Sequence, residues 1–367
     1  MRKRLAMFGS GGKDVLDVTY RKAGKMDLSN FSLNMNPERS GLADAVRLQM
    51  LGFDDQRKIR LEPYKLNVYG KGYFFKVHKD TPRDKMMFGS LVIVLPTRQE
   101  GGALKFTPEG DSKLFDSGKI LLDKPTGTIA FVAFYGDVDH EVQEVISGHR
   151  VMITYNLYFS PTELAMNPPV IAPEDHREGQ FKAALSKLLS DNNFLPEGGL
   201  LGFGLKHQYP LSSHPQYLPN LETMCSFLKG SDASILRKFS ELGLKTNLKI
   251  TYNVEDCYHI LCDDAWGWKD MPEDVISMVN ALTEGCGGIV MWSNDPGYRC
   301  DTSVTWISGR MQSNTVHEGC FGGVALGNYG SMAYFYGYVS LIVHVGPPGH
   351  RDSQPVHLHF SPPPESI

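Results

Sequence analysis

The chain has 367 residues, 41% hydrophobic and 21% charged, with a formal net charge of −4 at pH 7. That is material for one large or two ordinary cores, and it leaves no polycationic surface for nucleic acid. The apolar run after "MRKR" is too short for a secretory leader, and no stretch approaches the ~18 apolar residues of a membrane span. An intracellular protein of cytoplasm or nucleus, with no membrane partner, is expected.

Residues 1–64 read as helical and loop-forming support. "DLSNFSLNMNPERS" is loop-like, and Ser40 is expected to cap a helix from about Gly41 to Leu51 with Leu42, Ala45, Val46 and Leu48 apolar. From 65 to 160 the pattern turns to strand. "SLVIVLPT" (90–97) is a continuous apolar run, suited to a strand buried on both faces. "TIAFVAF" (128–134) and "RVMITYNLYF" (150–159) are β-rich runs between glycine-containing turns. Short strands separated by Gly, Pro and Asp clusters predict a sandwich or barrel rather than βαβ units.

"SPTELAMNPPVIAPED" (160–175) holds four prolines and marks the boundary to a third region, 161–367. There Phe181, Ala184, Leu185, Leu188 and Leu189 line one face of a helix. A second helix is expected after Ser231 as cap, with Ile235, Leu236, Phe239 and Leu242 inward; a third runs from Pro272 to Gly285. Strand-like runs at 247–253, 288–293 and 339–345 make this region α+β. All six cysteines lie here without a Cys-x-x-Cys pair, which predicts reduced thiols.

The chemistry concentrates in "NVYGKGYFFKVHKD" (67–80). The chain has three His-x-Asp/Glu triplets, starting at His78, His176 and His350, so the triplet alone decides little. Only His78-Lys79-Asp80 follows an apolar strand, where residues i and i+2 share a face and one strand can supply two metal ligands. A two-His, one-carboxylate Fe(II) site needs one more histidine and open positions. His140, in "FYGDVDHEVQEVISGHR", is the best placed, and Arg150 follows it by ten residues. Arg150 also has Glu141 and Glu144 nearby as ordinary ion-pair partners. Tyr73, Phe75, Val77, Phe131 and Phe134 would keep such a site dry. His207 with Tyr209, His317 with Cys320, and His357 with His359 lack zinc-ligand spacing.

The order His-x-Asp, distal His, then a basic residue ten positions on resembles the prolyl 4-hydroxylase-like branch of the 2-oxoglutarate/Fe(II)-dependent dioxygenases. "YGKGYFFKVHKD" resembles that branch's strand–turn–strand lead-in, "GGALKF" (101–106) its Gly-Gly strand, and "DHEVQEVISGHRVMITYNLYF" its co-substrate segment. The flanking "DVLDVTYRKAGKMDLSNF" and "LKGSDASIL" resemble large fungal proteins carrying this domain. The resemblance implies an α+β protein with a double-stranded β-helix (jelly-roll) core at 65–160, flanking helices and a C-terminal α+β domain.

It further implies that His78, Asp80 and His140 bind Fe(II), and that Arg150 and the Tyr69 phenol hold the distal carboxylate of 2-oxoglutarate. Thr154, on the Arg150 face by period-two counting, would line the pocket. The implied cofactors are Fe(II), 2-oxoglutarate and O2, with ascorbate an optional addition. The implied reaction converts 2-oxoglutarate to succinate and carbon dioxide while hydroxylating an unactivated C–H bond. A prolyl residue in a peptide or protein is the default substrate. A small molecule on the same core, or a non-catalytic binding or scaffold role, is the alternative.

Overall fold

The computed structural model describes residues 4–10, 13–52, 55–108, 111–164, 176–211, 218–267, 272, 274–295, 300, 303–308, 313–322 and 332–353. The chain divides into two units, Met1–Ala172 and Pro173–Ile367.

The first unit opens with short strands β1 (Arg4–Leu5), β2 (Phe8–Ser10), β3 (Lys13–Val15), β4 (Arg21–Lys22) and β5 (Gly24–Met26), then helix α1 (Leu42–Leu51). Strands β6 (Arg57–Gly70), β7 (Phe74–His78), β8 (Met87–Val94), β9 (Gln99–Gly101), β10 (Leu104–Phe106) and β11 (Lys113–Phe115) follow. Helix α2 (Ser117–Leu121) precedes β12 (Ala130–Tyr135), β13 (His140–Val142) and the long β14 (Val145–Leu164). One sheet runs β1-β5-β6-β14-β8-β12 with β9 beside β14; the other runs β11-β10-β13-β7-β4.

The two sheets meet through one core, as in a jelly roll. Tyr69, Val92, Val94, Phe134 and Met152 come from the first sheet, and Phe75, Leu104, Phe106 and Val142 from the second. Every residue of β8 is buried, as the unbroken apolar run predicts. Val92 and Val94 join the inter-sheet core, so by alternation Leu91 and Ile93 are buried on the reverse face. Residues 1–64 hold more strand than their pattern suggests, because β1, β4 and β5 add to the two sheets and β6 starts at Arg57.

Helix α1 begins at Leu42 with Gly41, at φ 77°, in the cap position. The expected cap at Ser40 does not form, because its hydroxyl donates to the Pro37 carbonyl (3.0 Å). β14 starts five residues before the apolar run that signals it, since pairing with β6 and β9 extends the ladder past the local pattern.

The second unit contains α3 (His176–Ser190), β15 (Gly199–Gly204), α4 (Leu221–Met224), α5 (Gly230–Glu241), β16 (Thr246–Val254) and β17 (Tyr258–Cys262). It continues with α6 (Val275–Gly285), β18 (Ile289–Ser293), β19 (Val304–Trp306), β20 (Val316–Gly322) and β21 (Met332–Val345). Its sheet runs β18-β17-β16-β21-β15-β19, with β20 paired to β21.

Two helix starts differ from expectation. Ser231 lies inside α5, one residue after its start. Pro272 precedes α6, which is capped instead by Asp274 and Ser277 in a reciprocal box. His207 and Tyr209 serve the fold: the Asp232 carboxylate accepts from the backbone N–H groups of Lys206 (2.9 Å) and His207 (3.0 Å) and from the Tyr209 hydroxyl (2.9 Å). His317 contacts the Tyr252 hydroxyl through Nδ1 (3.1 Å). His357 and His359 lie outside the described residues. No helix among the described residues is long and apolar enough to cross a membrane.

Candidate metal centre

His78 ends β7 and His140 begins β13, and the antiparallel register sets them directly opposite each other. Their rings lie 4.2 Å apart. Asp80, two residues beyond the strand, is fixed at both ends. Its N–H donates to the Gly136 carbonyl (3.0 Å), and its Oδ2 accepts from the Ser90 hydroxyl (2.5 Å). One ligand atom from each of His78, Asp80 and His140 falls within 4.8 Å of the others, the only such group among the described residues.

The tautomers follow from the backbone. Nδ1 of His78 faces the Lys76 carbonyl (2.8 Å) and Nδ1 of His140 the Val138 carbonyl (2.9 Å). A carbonyl only accepts, so each Nδ1 carries the proton and each Nε2 keeps its lone pair for a cation. Burial, and then the neighbouring His140, push the His78 pKa down to about 3, so at neutral pH this imidazole is in its ligand form. Two anchored imidazoles and one carboxylate fit the donor set of a non-haem Fe(II) centre.

Aromatic rings close the site. Phe75 stacks on His78 at 3.5 Å between centroids, and Phe134 lies 4.6 Å from His140. Val77 and Phe131 do not contribute as expected: they are 49% and 37% exposed, Phe131 because alternation turns it away from Phe134, and Val77 because a bulge in β7 opposite His140–Val142 puts Phe75 and His78 on the inner face instead.

Behind the triad, Tyr69 on β6 and Arg150 on β14 are cross-strand partners, both with 0% exposure. Arg150 donates from Nη1 to the Met152 sulfur (2.9 Å), while its Nε and Nη2 and the Tyr69 hydroxyl have no partner among the described residues. Neither nearby acid reaches it, since Glu141 pairs with Lys105 (3.4 Å) and Glu144 is exposed. Burial lowers the Arg150 pKa to about 10, with Tyr69 and Asp116 opposing the shift. A buried cation with two idle donors is costly unless a ligand anion completes it. A carboxylate in the planar fork of Arg150, bonded also by Tyr69, is the natural complement.

A cleft of about 490 Å³ has His78, Asp80, His140, Tyr69 and Thr154 in its lining, with Arg150 behind Tyr69 and Met152 and outside the lining itself. Thr154 shares the Arg150 face but stands four residues farther out, about 13 Å along the strand. It accepts a hydrogen bond from Asn67 (3.3 Å). Sequence reasoning missed Met152, Ser90 and Asn67. Counting back by twos from Tyr69 finds Asn67, and counting on from Arg150 finds Met152. No local signal finds Ser90, which reaches Asp80 only through the fold.

Gly102 holds Arg150 in place. Its φ of 70° suits glycine, and a Cβ there would lie 2.7 Å from Val145 Cγ2 and 3.3 Å from Arg150 Cδ. Gly102→Ala is expected to destabilise the protein by ~1–3 kcal/mol, from the clash and the left-handed backbone. It should also weaken binding of a carboxylate at Arg150 about tenfold by displacing the guanidinium. Urea midpoints and ligand titration read the two effects; wild-type behaviour in both would refute the contact.

Residues 64–158 match the model of the 2OG-Fe(II) oxygenase superfamily. No curated protein matches the chain. Among solved structures, similarity is found to a Pseudomonas putida prolyl-4-hydroxylase, at 18% identity over 38% of this chain and 74% of that one, TM-score 0.27. A Trichoplax adhaerens prolyl hydroxylase, solved with a hypoxia inducible factor peptide fragment, shows 17% identity over 42% and 70%, TM-score 0.30. A 2OG-Fe(II) oxygenase family oxidoreductase from Burkholderia pseudomallei shows 16% identity over 46% and 78%, TM-score 0.29.

Proposed function

Because residues 64–158 are a domain of the 2OG-Fe(II) oxygenase superfamily, we propose that His78, Asp80 and His140 hold its Fe(II) and that Arg150 and Tyr69 hold its 2-oxoglutarate. The domain is an Fe(II)- and 2-oxoglutarate-dependent dioxygenase. When bound, metal and co-substrate supply O2 activation coupled to decarboxylation of 2-oxoglutarate to succinate.

The chain's own residues do the positioning. The two Nδ1–H···O=C bonds aim the imidazoles, and Ser90 occupies one Asp80 oxygen so that the other is left for the metal. Arg150 and Tyr69 select a ligand with a second carboxylate at the buried end. Phe75, Phe134 and Val142 exclude water from the space between. The observation that carries this reading is the pair of idle Arg150 donors, fully buried beside a cleft that also holds the triad.

The substrate proposed is a prolyl residue in a peptide, and a small molecule on the same core is the runner-up. Anaerobic titration with Fe(II) and 2-oxoglutarate should produce the visible metal-to-ligand charge-transfer band of the chelate. Folded protein that binds both and gives no band would sink the assignment.

A further inference from the structure

The cleft has a cationic region of its own, apart from the buried Arg150. Its lining includes Arg21, Lys25, Lys65, Lys79 and Arg83, against only Asp17 and the metal ligand Asp80 as acids. Asp17 is occupied locally, accepting from the N–H (2.8 Å) and hydroxyl (2.7 Å) of Thr19. Lys25 has Asp27 at 3.4 Å. Lys65, Arg21 and Arg83 have no carboxylate within ion-pair distance among the described residues.

Lys65 stands at the centre of this group. It follows Tyr69 and Asn67 outward along one face of β6 and pairs with Thr154 on β14. Its ammonium lies 4.0 Å from the Tyr64 ring centroid. Tyr64 is the extra residue of a bulge, since Lys65 pairs with Thr154 and Pro63 with Tyr155. The bulge brings Tyr64 to the cleft, where its hydroxyl accepts from Arg83 (2.6 Å).

Arg21 is 5% exposed and donates to the Met7 carbonyl (2.7 Å) and Asn67 Oδ1 (3.1 Å). Its guanidinium lies 4.4 Å from the centroid of Phe75, the ring that stacks on His78. The cation cluster is thus one ring removed from the metal ligands. Uncompensated charges this close together are a cost to the fold that a bound anion relieves.

A co-substrate seated on Arg150 lies at the inner end of this strand face and leaves the Lys65 end open. Lys65 and Tyr69 are four strand residues apart, about 13 Å, whereas an extended five-carbon diacid spans roughly 7 Å between its terminal oxygens. We propose that the molecule oxidised carries a carboxylate that sits on Lys65, in the field of Arg21 and Arg83, at the outer end of the cleft. This rests on the Fe(II)/2-oxoglutarate reading above.

Burial lowers the Lys65 pKa to about 7, with Arg21, Lys25 and Arg83 adding to the shift and Asp80 opposing it. A carboxylate beside Lys65 raises that pKa again, so binding takes up a proton. Affinity is therefore highest near and below pH 7 and falls as pH rises toward 9.

The test is equilibrium binding to the anaerobic Fe(II)/2-oxoglutarate complex. The probes are Ac-Glu-Pro-Glu-Pro-Glu-NH2, its Gln counterpart, and N-acetylproline with its amide. At neutral pH and low salt an acidic probe should bind at least about tenfold more tightly than its neutral partner. Lys65→Met should abolish the preference and its pH dependence, and Lys65→Arg should restore the preference while leaving it flat with pH. Preference for the acidic peptide alone identifies a peptide-borne acid; preference for N-acetylproline alone identifies a free one. No preference in either pair, or one that survives Lys65→Met, overturns the proposal. The charge-transfer band, followed in the same samples, judges the iron and co-substrate sites separately. Its absence beside an intact preference would refute that reading and leave the carboxylate site standing.

Discussion

Arg150→Met should abolish 2-oxoglutarate binding and, in the same protein, raise the melting temperature of the ligand-free form. The two effects have one cause. Arg150 is fully buried with Nε and Nη2 unpaired among the described residues, so without ligand the fold carries a desolvated cation attended by a sulfur contact, a nearby phenol and the field of Asp116. Its pKa, lowered to about 10, still leaves it charged at neutral pH, where the penalty is therefore present in full.

Replacing such a group by an apolar side chain of similar length is neutral to stabilising by ~1–4 kcal/mol. In a cooperative unit the size of Met1–Ala172 that raises the melting temperature by about 2–4 °C per kcal/mol. With ligand the sign reverses. Two charge-assisted hydrogen bonds at ~1.5–3 kcal/mol each amount to a loss of about 10²–10⁴ in affinity. Arg150→Lys should recover only part of it, since an ammonium lacks the planar fork. Tyr69→Phe should lose about 1 kcal/mol. Calorimetry of the variants with and without 2-oxoglutarate measures both halves. An Arg150→Met protein that binds the co-substrate within tenfold of wild type would remove Arg150 from the site.

His78→Ala should reduce Fe(II) binding and 2-oxoglutarate turnover to background, with folding intact. The triad has three donors and no reserve: no fourth His, Cys, Asp or Glu joins this group among the described residues. Ser90→Ala tests the support of the triad rather than the triad itself. Its hydroxyl holds Asp80 Oδ2, and loss of such a partner typically costs about 10–100-fold in metal affinity. The two variants should therefore separate: Ser90→Ala recovers activity at high Fe(II), and His78→Ala does not. Turnover that survives His78→Ala would point to a protein that does not use this site.

How much of this was legible in advance depends on how local the signal is. His78 and Asp80 could be chosen over two similar triplets because they follow an apolar strand, a property of adjacent residues, although the strand ends at His78 and Asp80 is placed by Gly136 and Ser90. The β-dominated first unit, the buried β8 and the α+β second unit followed from the same short-range patterns. Helix caps were less legible. Ser40 and Ser231 are good capping residues, yet one hydroxyl is taken by Pro37 and the other residue lies inside its helix.

What only the tertiary structure decided is which strand lies against which. β14 runs for 20 residues between β6 and β8, and its register sets Arg150 opposite Tyr69, Met152 opposite Asn67 and Thr154 opposite Lys65. Those pairs join segments some 80 residues apart, and no local periodicity encodes them. The same closure carries Ser90 to Asp80 and, through β4, sets Arg21 over Phe75 behind His78. Side-chain alternation repeats every two residues and can be counted along the chain. Cross-strand register depends on the packing of the whole sheet, so the unpaired Arg150 and the cation cluster around Lys65 emerge only once the strands are in place.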